Sequence, residues 1–258
     1  METQIIKEVK EVGNGAHIIA PKEWIGQKVI VTLPERNIKE DILEMVLPHL
    51  PNIKGVYLYG SYARKEETPD SDIDVLVIAD KKFSISKKRG YEVVIATEES
   101  IEKTIKNNAV IILPIIKECR PIINQKLLEK YKGYSLTRDN TKWYIETTKS
   151  SLKIAEQLIK EKDTGGMPNI VYPLMMRTRG LYLIKKNGQG YSNQELEELL
   201  IKKGLPKDKV RQLYRMYREN RDKKRISQHS LGYPDVEKLQ SIANSLLKEI
   251  KSIWEKRS

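Results

Sequence analysis

Residues 60–80 read GSYARKEETPDSDIDVLVIAD, in which a turn of small residues leads through a polar stretch to two carboxylates and an apolar run. Asp72 and Asp74 are two residues apart. In an extended strand they would project from one face, whereas Ile73 would project from the other face into a core. Carboxylates beside a core are costly unless a positive group meets them. The stretch therefore predicts a cation at the start of this strand.

The turn that precedes the carboxylates has the features of a phosphate site. The run GVYLYG (55–60) predicts a buried strand, and SYARKEE after it predicts a short helix. A helix that begins directly after a strand presents backbone N–H groups and the positive end of its dipole, which favour phosphate. Gly60 allows close approach of the backbone, and the Ser61 hydroxyl adds a donor. Carboxylates plus phosphates suit Mg²⁺, so we expect a nucleoside triphosphate with magnesium here.

A third carboxylate, Glu92, lies at the start of the next predicted strand, YEVVIAT (91–97). Three carboxylates can hold two Mg²⁺ ions, one to activate an acceptor hydroxyl and one to hold the triphosphate and the departing pyrophosphate. Each residue also has a simpler interpretation. Ser61 can cap a helix, Asp72 can cap a turn, and Glu92 can be a charge on an edge strand.

The spacing of these residues resembles the signature of a known family. Gly60 and Ser61 are followed by ten residues and then by Asp72 and Asp74. This is similar to the minimal, antitoxin-type branch of the polymerase-beta-like nucleotidyltransferases, whose usual text is GSxAR…SDIDLLV. The resemblance covers residues 37–131. It implies a small mixed sheet and transfer of a nucleoside monophosphate, with ATP favoured as the donor, to a hydroxyl acceptor with release of pyrophosphate.

The resemblance also implies roles for individual residues. These are catalysis and metal binding by Asp72, Asp74 and Glu92, and triphosphate binding by Gly60, Ser61, Arg64 and Lys65. Two positions depart from the family pattern, which usually has Asp at the place of Glu92 and often Gly at the place of Lys65. A longer carboxylate can still reach a metal but alters the geometry. Lys65 is either a neighbour of the triphosphate or a solvated charge.

Composition sets the broad class. The chain has 258 residues, 39% apolar and 32% charged, with a formal net charge of +12, which fits phosphate-bearing partners or a Lys-rich solvated surface. Cys119 is the single cysteine, which excludes an internal disulfide, and the three histidines are far apart. The apolar run AVIILPII (109–116) is too short to span a bilayer, and METQIIKEVK is not a signal peptide. We therefore expect a cytoplasmic protein without membrane contact.

The texture of the chain predicts an α+β protein with three segments. Residues 1–36 predict three short strands, IIKEVKEV (5–12), AHIIAP (16–21) and KVIVTLP (28–34). Residues 37–137 alternate between helices and strands and form the nucleotidyltransferase core, and residues 138–258 contain five amphipathic helical periods without a strand pattern. Within the core, the run 109–116 is interpreted as a strand between two helices. The C-terminal periods predict an all-α bundle.

The N-terminal segment resembles the swapped-hairpin, AbrB-like DNA-binding modules in the text VKEVGNGAHIIAPKEWIGQKVIVTLPE (9–35). A unit of this size cannot bury a core alone, so the resemblance implies a homodimer. Its candidate DNA contacts are Lys7, Lys10, Lys22, Lys28 and Arg36. The alternative is a dimerisation hairpin without affinity for DNA.

The C-terminal helices resemble HEPN-like accessory domains. HEPN ribonucleases use Arg, four to six residues and then His, but Arg225 and Arg221 are separated from His229 by three and seven residues. We therefore interpret the bundle as a platform that binds a protein or RNA acceptor. RQLYRMYRENRDKKR (211–225) is basic and rich in tyrosine, which suits such a partner or a solvated helix. Two other functions stay open: a dimeric DNA-binding regulator that binds nucleotide without turnover, and a small-molecule (drug) nucleotidyltransferase.

Overall fold

The computed structural model describes residues 5, 7, 9–31, 37–69, 71–162, 166–223 and 225–255. Backbone contacts divide the chain into a first unit of residues 1–38 and a second unit of residues 39–258.

The first unit contains a short antiparallel hairpin, β1 (Lys10–Val12) and β2 (Gly15–His17). Gly13 turns the chain between them with a φ of 57°, in the left-handed region that favours glycine. A single 3₁₀ turn follows at Lys22–Trp24. The prediction of a third strand is wrong for residues 28–31, because no described strand pairs with them. The remainder of that predicted strand and Arg36 lie outside the described residues.

The second unit is built on a four-stranded mixed sheet. Its strands are β3 (Ile53–Tyr59), β4 (Ile73–Ala79), β5 (Tyr91–Thr97) and β6 (Arg120–Ile123), in the order β5-β4-β3-β6. β4 runs parallel to β5, and β3 runs antiparallel to both β4 and β6. Residues 75–79 are all buried, as expected for an unbroken apolar run inside a sheet. The expected α+β class with a small mixed sheet is confirmed.

Helices connect and flank these strands. α1 (Ile38–Val46) precedes β3, the one-turn helix α2 (Gly60–Arg64) follows it, and α3 (Glu98–Glu118) follows β5. α4 (Gln125–Lys132) follows β6. The run 109–116, interpreted above as a strand, is the second half of α3. Buried side chains recur at helical spacing along the whole of α3, at Ile101, Ile105, Ala109, Leu113 and Ile116.

That correction has a physical reason. An apolar run of eight residues has no clear periodicity, so a strand and a buried helix cannot be distinguished from it. The helix is also irregular, because Asn108 has non-helical angles (φ −156°, ψ 61°) and Pro114 lies inside it. The strand expected near this position is β6, which begins two residues after α3 ends.

The five helical periods predicted for the C-terminal segment are confirmed. They form α5 (Arg138–Glu161), α6 (Met167–Lys185), α7 (Asn193–Lys202), α8 (Lys207–Arg221) and α9 (Tyr233–Glu255). Thr137 and Ser192 begin α5 and α7 with capping boxes, in which each side-chain oxygen accepts a backbone N–H of the first turn.

The sheet and the helical bundle share one core. A single cluster of buried apolar side chains includes Tyr57 of β3, Leu76 of β4, Leu113 of α3, Leu174 of α6 and Leu246 of α9. The division between residues 137 and 138 therefore falls inside a continuously packed unit. In the part of the chain that the structure describes, no helix combines the length and apolar character needed to cross a bilayer.

Candidate active site

The two carboxylates of the opening stretch lie at the start of β4. Asp74 is half-buried and Asp72, just before the strand, is exposed, whereas Ile73 between them is completely buried. This pattern is the one expected if the two acidic side chains project from the face opposite Ile73. In the parallel pairing of β4 with β5, Asp74 lies opposite Glu92. The sheet register thus brings the third predicted carboxylate beside the second.

The pKa of Asp74 reflects the acidic groups that surround it. The pKa of Asp74 rises from 3.8 to about 6, chiefly because burial disfavours its charge and also because Glu92, Asp72 and Glu118 are negative. Arg64 opposes the rise in pKa by a smaller amount. Tyr59, opposite Asp74 on β3, also has a raised pKa, caused by burial and then by Asp74 and Glu92. The strand end therefore carries an excess of negative charge.

Gly60 makes the close approach between the turn and the carboxylates possible. Its φ of 73° lies in the left-handed region, and a Cβ placed on it would overlap the Oδ2 atom of Asp74. No residue with a side chain fits here unless the Asp74 carboxylate moves. The glycine of the predicted phosphate turn is therefore in contact with the predicted metal-binding carboxylate.

Glu118 is a residue of this site that the sequence interpretation missed. Its Oε1 accepts the Gly60 N–H at 3.0 Å, and its Oε2 accepts from Arg64 Nη1 at 2.6 Å. We expected the Gly60 N–H to be free for phosphate, but Glu118 occupies it. Nothing in the local sequence pointed to Glu118, which is the last residue of α3 in a region interpreted as following a strand.

The remaining predicted residues belong to α2. Ser61 is half-buried, and its carbonyl accepts the Glu66 N–H at 2.9 Å. Arg64 donates from Nε to Glu66 at 2.9 Å in addition to its bond with Glu118. Lys65 is exposed and ends the helix in the left-handed conformation (φ 60°, ψ 39°). Glycine adopts that conformation without strain, which gives a physical reason for the family's glycine at this position.

The chemistry of the donor set fits magnesium. All the acidic groups that act on Asp74 offer carboxylate oxygens, which Mg²⁺ prefers, and their mutual repulsion would be relieved by a cation. Among the described residues, however, no three His, Cys, Asp or Glu side chains are already arranged to hold a metal ion. The carboxylates supply the charge for a metal site, and their side chains would have to reorient to bind one.

A cleft of about 830 Å³ adjoins this site. Its lining includes Arg64, Glu66 and Glu118 of this site together with residues of α3, α5, α6 and the start of α7. Its volume is in the range of small-molecule sites, so it can hold a second molecule beside the carboxylates.

Parts of the chain match known protein families. A family described as "Polymerase beta, Nucleotidyltransferase" matches residues 41–132, and one described as "Putative transposon-encoded protein" matches residues 1–36. Two proteins of Methanocaldococcus jannaschii are each named "Putative protein adenylyltransferase". One is 29% identical over 93 residues, which are 36% of this chain and 81% of that protein. The other is 33% identical over 80 residues, which are 27% of this chain and 84% of that protein.

Solved structures with a similar arrangement have low sequence identity. Spectinomycin adenyltransferase AAD(9) from Enterococcus faecialis, solved with ATP and spectinomycin, aligns with a TM-score of 0.42 at 14% identity, over 82% of this chain and 97% of that chain. A nucleotidyltransferase-like protein from Exiguobacterium sibiricum aligns with a TM-score of 0.40 at 11% identity, over 83% of this chain and 75% of that chain.

Proposed function

Because this chain belongs to the polymerase beta nucleotidyltransferase family, we propose that it is a magnesium-dependent adenylyltransferase that moves AMP from ATP to a hydroxyl group. The choice of ATP is supported by the names of the two relatives from Methanocaldococcus jannaschii. The observation that carries the proposal is the meeting of Asp74 with Glu92 and with Gly60 at one strand end.

The residues of the site have distinct roles in this proposal. Asp72, Asp74 and Glu92 would hold Mg²⁺, which when bound would neutralise the triphosphate and favour ionisation of the acceptor hydroxyl. Gly60 and Ser61 would contact the phosphates. Their position at the start of α2 supports this role, because the backbone N–H groups of a helix's first turn have no partner inside the helix.

The transfer exchanges one phosphorus–oxygen bond for another. The acceptor oxygen bonds to the α-phosphorus of ATP while the bond between that phosphorus and the pyrophosphate oxygen breaks, and the acceptor proton passes to an acidic side chain of the site. Arg64, which lies between Glu66 and Glu118, would turn toward the negative charge that develops on pyrophosphate. Glu118 would release the Gly60 N–H when phosphate binds there.

The first unit supports an additional role in dimerisation. Apolar side chains in residues 9–31 are unusually exposed: Ile19 by 63%, Ile25 by 78% and Ile30 by 95%. Exposed apolar surface of this kind favours association, so we infer a homodimer formed through this segment. The exposed basic residues Lys10 and Lys28 support DNA binding by the same unit. Light scattering on the full chain tests the dimer, and the salt dependence of DNA affinity tests the second role.

The transferase activity is tested with ATP labelled with ³²P at the α-phosphate. The full chain is incubated with Mg²⁺ and with lysate protein, total RNA or a small-molecule fraction. We expect label on an acceptor with the wild type and none with the double variant Asp72→Asn/Asp74→Asn. Asp80→Asn, at the opposite end of β4, is the matched control and should retain activity. Equal labelling by the double variant would refute the metal assignment. No labelling by the wild type would favour a nucleotide-binding regulator.

A further inference from the structure

The cleft beside the active site has two guanidinium groups that lack an acidic partner. Arg177 and Arg179, both on α6, line it and form no ion pair with a carboxylate among the described residues. Arg177 donates to Thr147 Oγ1 at 3.2 Å and lies 5.1 Å from the ring centre of Tyr144. Its Nε is buried without a hydrogen-bond partner among the described residues. A buried donor of a charged group is costly when it has no partner, so an external acceptor is expected.

The carboxylates of the cleft do not compensate these charges. Glu66 and Glu118 are both paired with Arg64, and Glu195 is paired with Lys186. Arg64 thus offsets one of the two negative charges of Glu66 and Glu118, Lys186 offsets Glu195, and no described carboxylate is paired with Arg177 or Arg179. The field inside the cleft is therefore positive on the bundle side, and it favours an anion.

A buried amide and an aromatic surface complete the cleft. Asn108 lies at the kink of α3, and its Oδ1 is buried with no hydrogen-bond partner in the described structure. Trp143, on the facing helix α5, is 55% exposed, and Ile111 beside the kink is 54% exposed. Aromatic faces, guanidinium planes and amide edges are the groups with which proteins bind unpaired nucleotides.

We propose that this cleft binds the acceptor and that the acceptor is a nucleotide with a free ribose hydroxyl. Its phosphate would bind Arg177 and Arg179, its base would lie against Trp143 with Asn108 at the base edge, and its hydroxyl would face the carboxylates. The part of this inference that makes the bound nucleotide the acceptor of AMP rests on the proposed function. A polycationic acceptor such as an aminoglycoside is disfavoured, because it would meet two guanidinium groups of its own charge.

The binding step is tested on the full chain without ATP. The ligand is penta-uridylate with fluorescein at its 5′ end and a free 3′ hydroxyl, and its fluorescence anisotropy is measured. We expect Arg177→Gln and Arg179→Gln to weaken binding about tenfold or more, because each removes a charge-assisted hydrogen bond to phosphate. Lys248→Gln, on the exposed face of α9 outside the cleft, is the charge-matched control and should bind as the wild type does.

Because Arg177 packs against Tyr144, its substitution could weaken binding through lost packing, and a variant at another residue of the cleft separates the two effects. Asn108→Asp keeps the shape of the side chain but adds a negative charge, and it should also weaken binding. Thermal melting of each variant shows whether the fold is intact. Unchanged affinity in the two arginine variants, a loss confined to Lys248→Gln, or no binding by the wild type would overturn the proposal. Equal competition by hexaglutamate would overturn it as well, because the site would then accept any anionic chain.

Two further measurements identify the source of the nucleotide and separate the two proposals. Competition by unlabelled uridine 5′-monophosphate as effective as that of the pentamer indicates a free nucleotide, and competition by the pentamer alone indicates an RNA end. Asp72→Asn/Asp74→Asn should still bind the pentamer. If the chain binds it through Arg177 but transfers no AMP, the proposed function fails and the cleft assignment stands. If AMP reaches an acceptor but Arg177→Gln changes neither binding nor the KM for that acceptor, only the cleft assignment fails.

Discussion

Neutralising Asp74 should stabilise the protein at neutral pH while it abolishes activity. The ordinary pKa of 3.8 also describes this residue in the unfolded chain, whereas the folded pKa is about 6. The folded state therefore holds the proton more tightly, and stability is lost as the pH rises from 3.8 through 6. Asp74→Asn is nearly isosteric and carries no charge, so it removes this penalty.

The size of the effect follows from the shift in pKa. A rise of about two pH units corresponds to about 3 kcal/mol of unfolding free energy above pH 6. Asp74 is only partly buried, so solvent screening reduces the expected gain to about 1 to 1.5 kcal/mol. For a chain of this length that corresponds to an increase in Tm of about 2 to 6 °C. At pH 4.5 the gain should fall to about a third of its value at pH 7.5.

The assay is thermal unfolding of the wild type and of Asp74→Asn at pH 4.5 and 7.5, with and without Mg²⁺. Asp80→Asn is the control, because Asp80 forms an exposed ion pair with Lys54 and should not gain stability when neutralised. Magnesium should raise the Tm of the wild type and not that of Asp74→Asn. A variant that is no more stable than the wild type at pH 7.5 would refute the claim that negative charge is crowded at this strand end.

Two further changes test the contacts around the turn. Gly60→Ala should destabilise the second unit in urea unfolding by about 1 kcal/mol or more beyond the loss caused by Gly204→Ala. Both glycines have positive φ, but only a Cβ at residue 60 would overlap the Asp74 carboxylate. Equal losses of stability in the two variants would contradict the overlap. Glu118→Gln should strengthen binding of ATP with Mg²⁺ about fivefold in calorimetry, because a neutral amide holds the Gly60 N–H less tightly than a carboxylate does. Glu66→Gln is the control and should have little effect. Weaker binding by Glu118→Gln would show that the negative charge of Glu118 assists nucleotide binding.

Much of the second unit could be predicted from local patterns. β4 contains an unbroken apolar run, and the five C-terminal helices repeat apolar residues at helical spacing. The local pattern therefore predicts each of these elements. The place of Glu92 beside Asp74 was also within reach, because both residues stand near the starts of strands that proved to be parallel neighbours. The run 109–116 was interpreted wrongly because short apolar runs fit both a helix and a buried strand.

By itself, the sequence determined β4, the five C-terminal helices and the acidic pair at the start of β4, because these depend on the order of residues within one strand or helix. Only the tertiary structure decided that Glu118 accepts a hydrogen bond from the Gly60 N–H, because the two residues are 58 positions apart in the sequence. It also decided that Arg177 and Asn108 line the same cleft, although they lie on different helices. Such contacts arise when α3 and α6 pack on a common core, and no local pattern in the sequence specifies that packing.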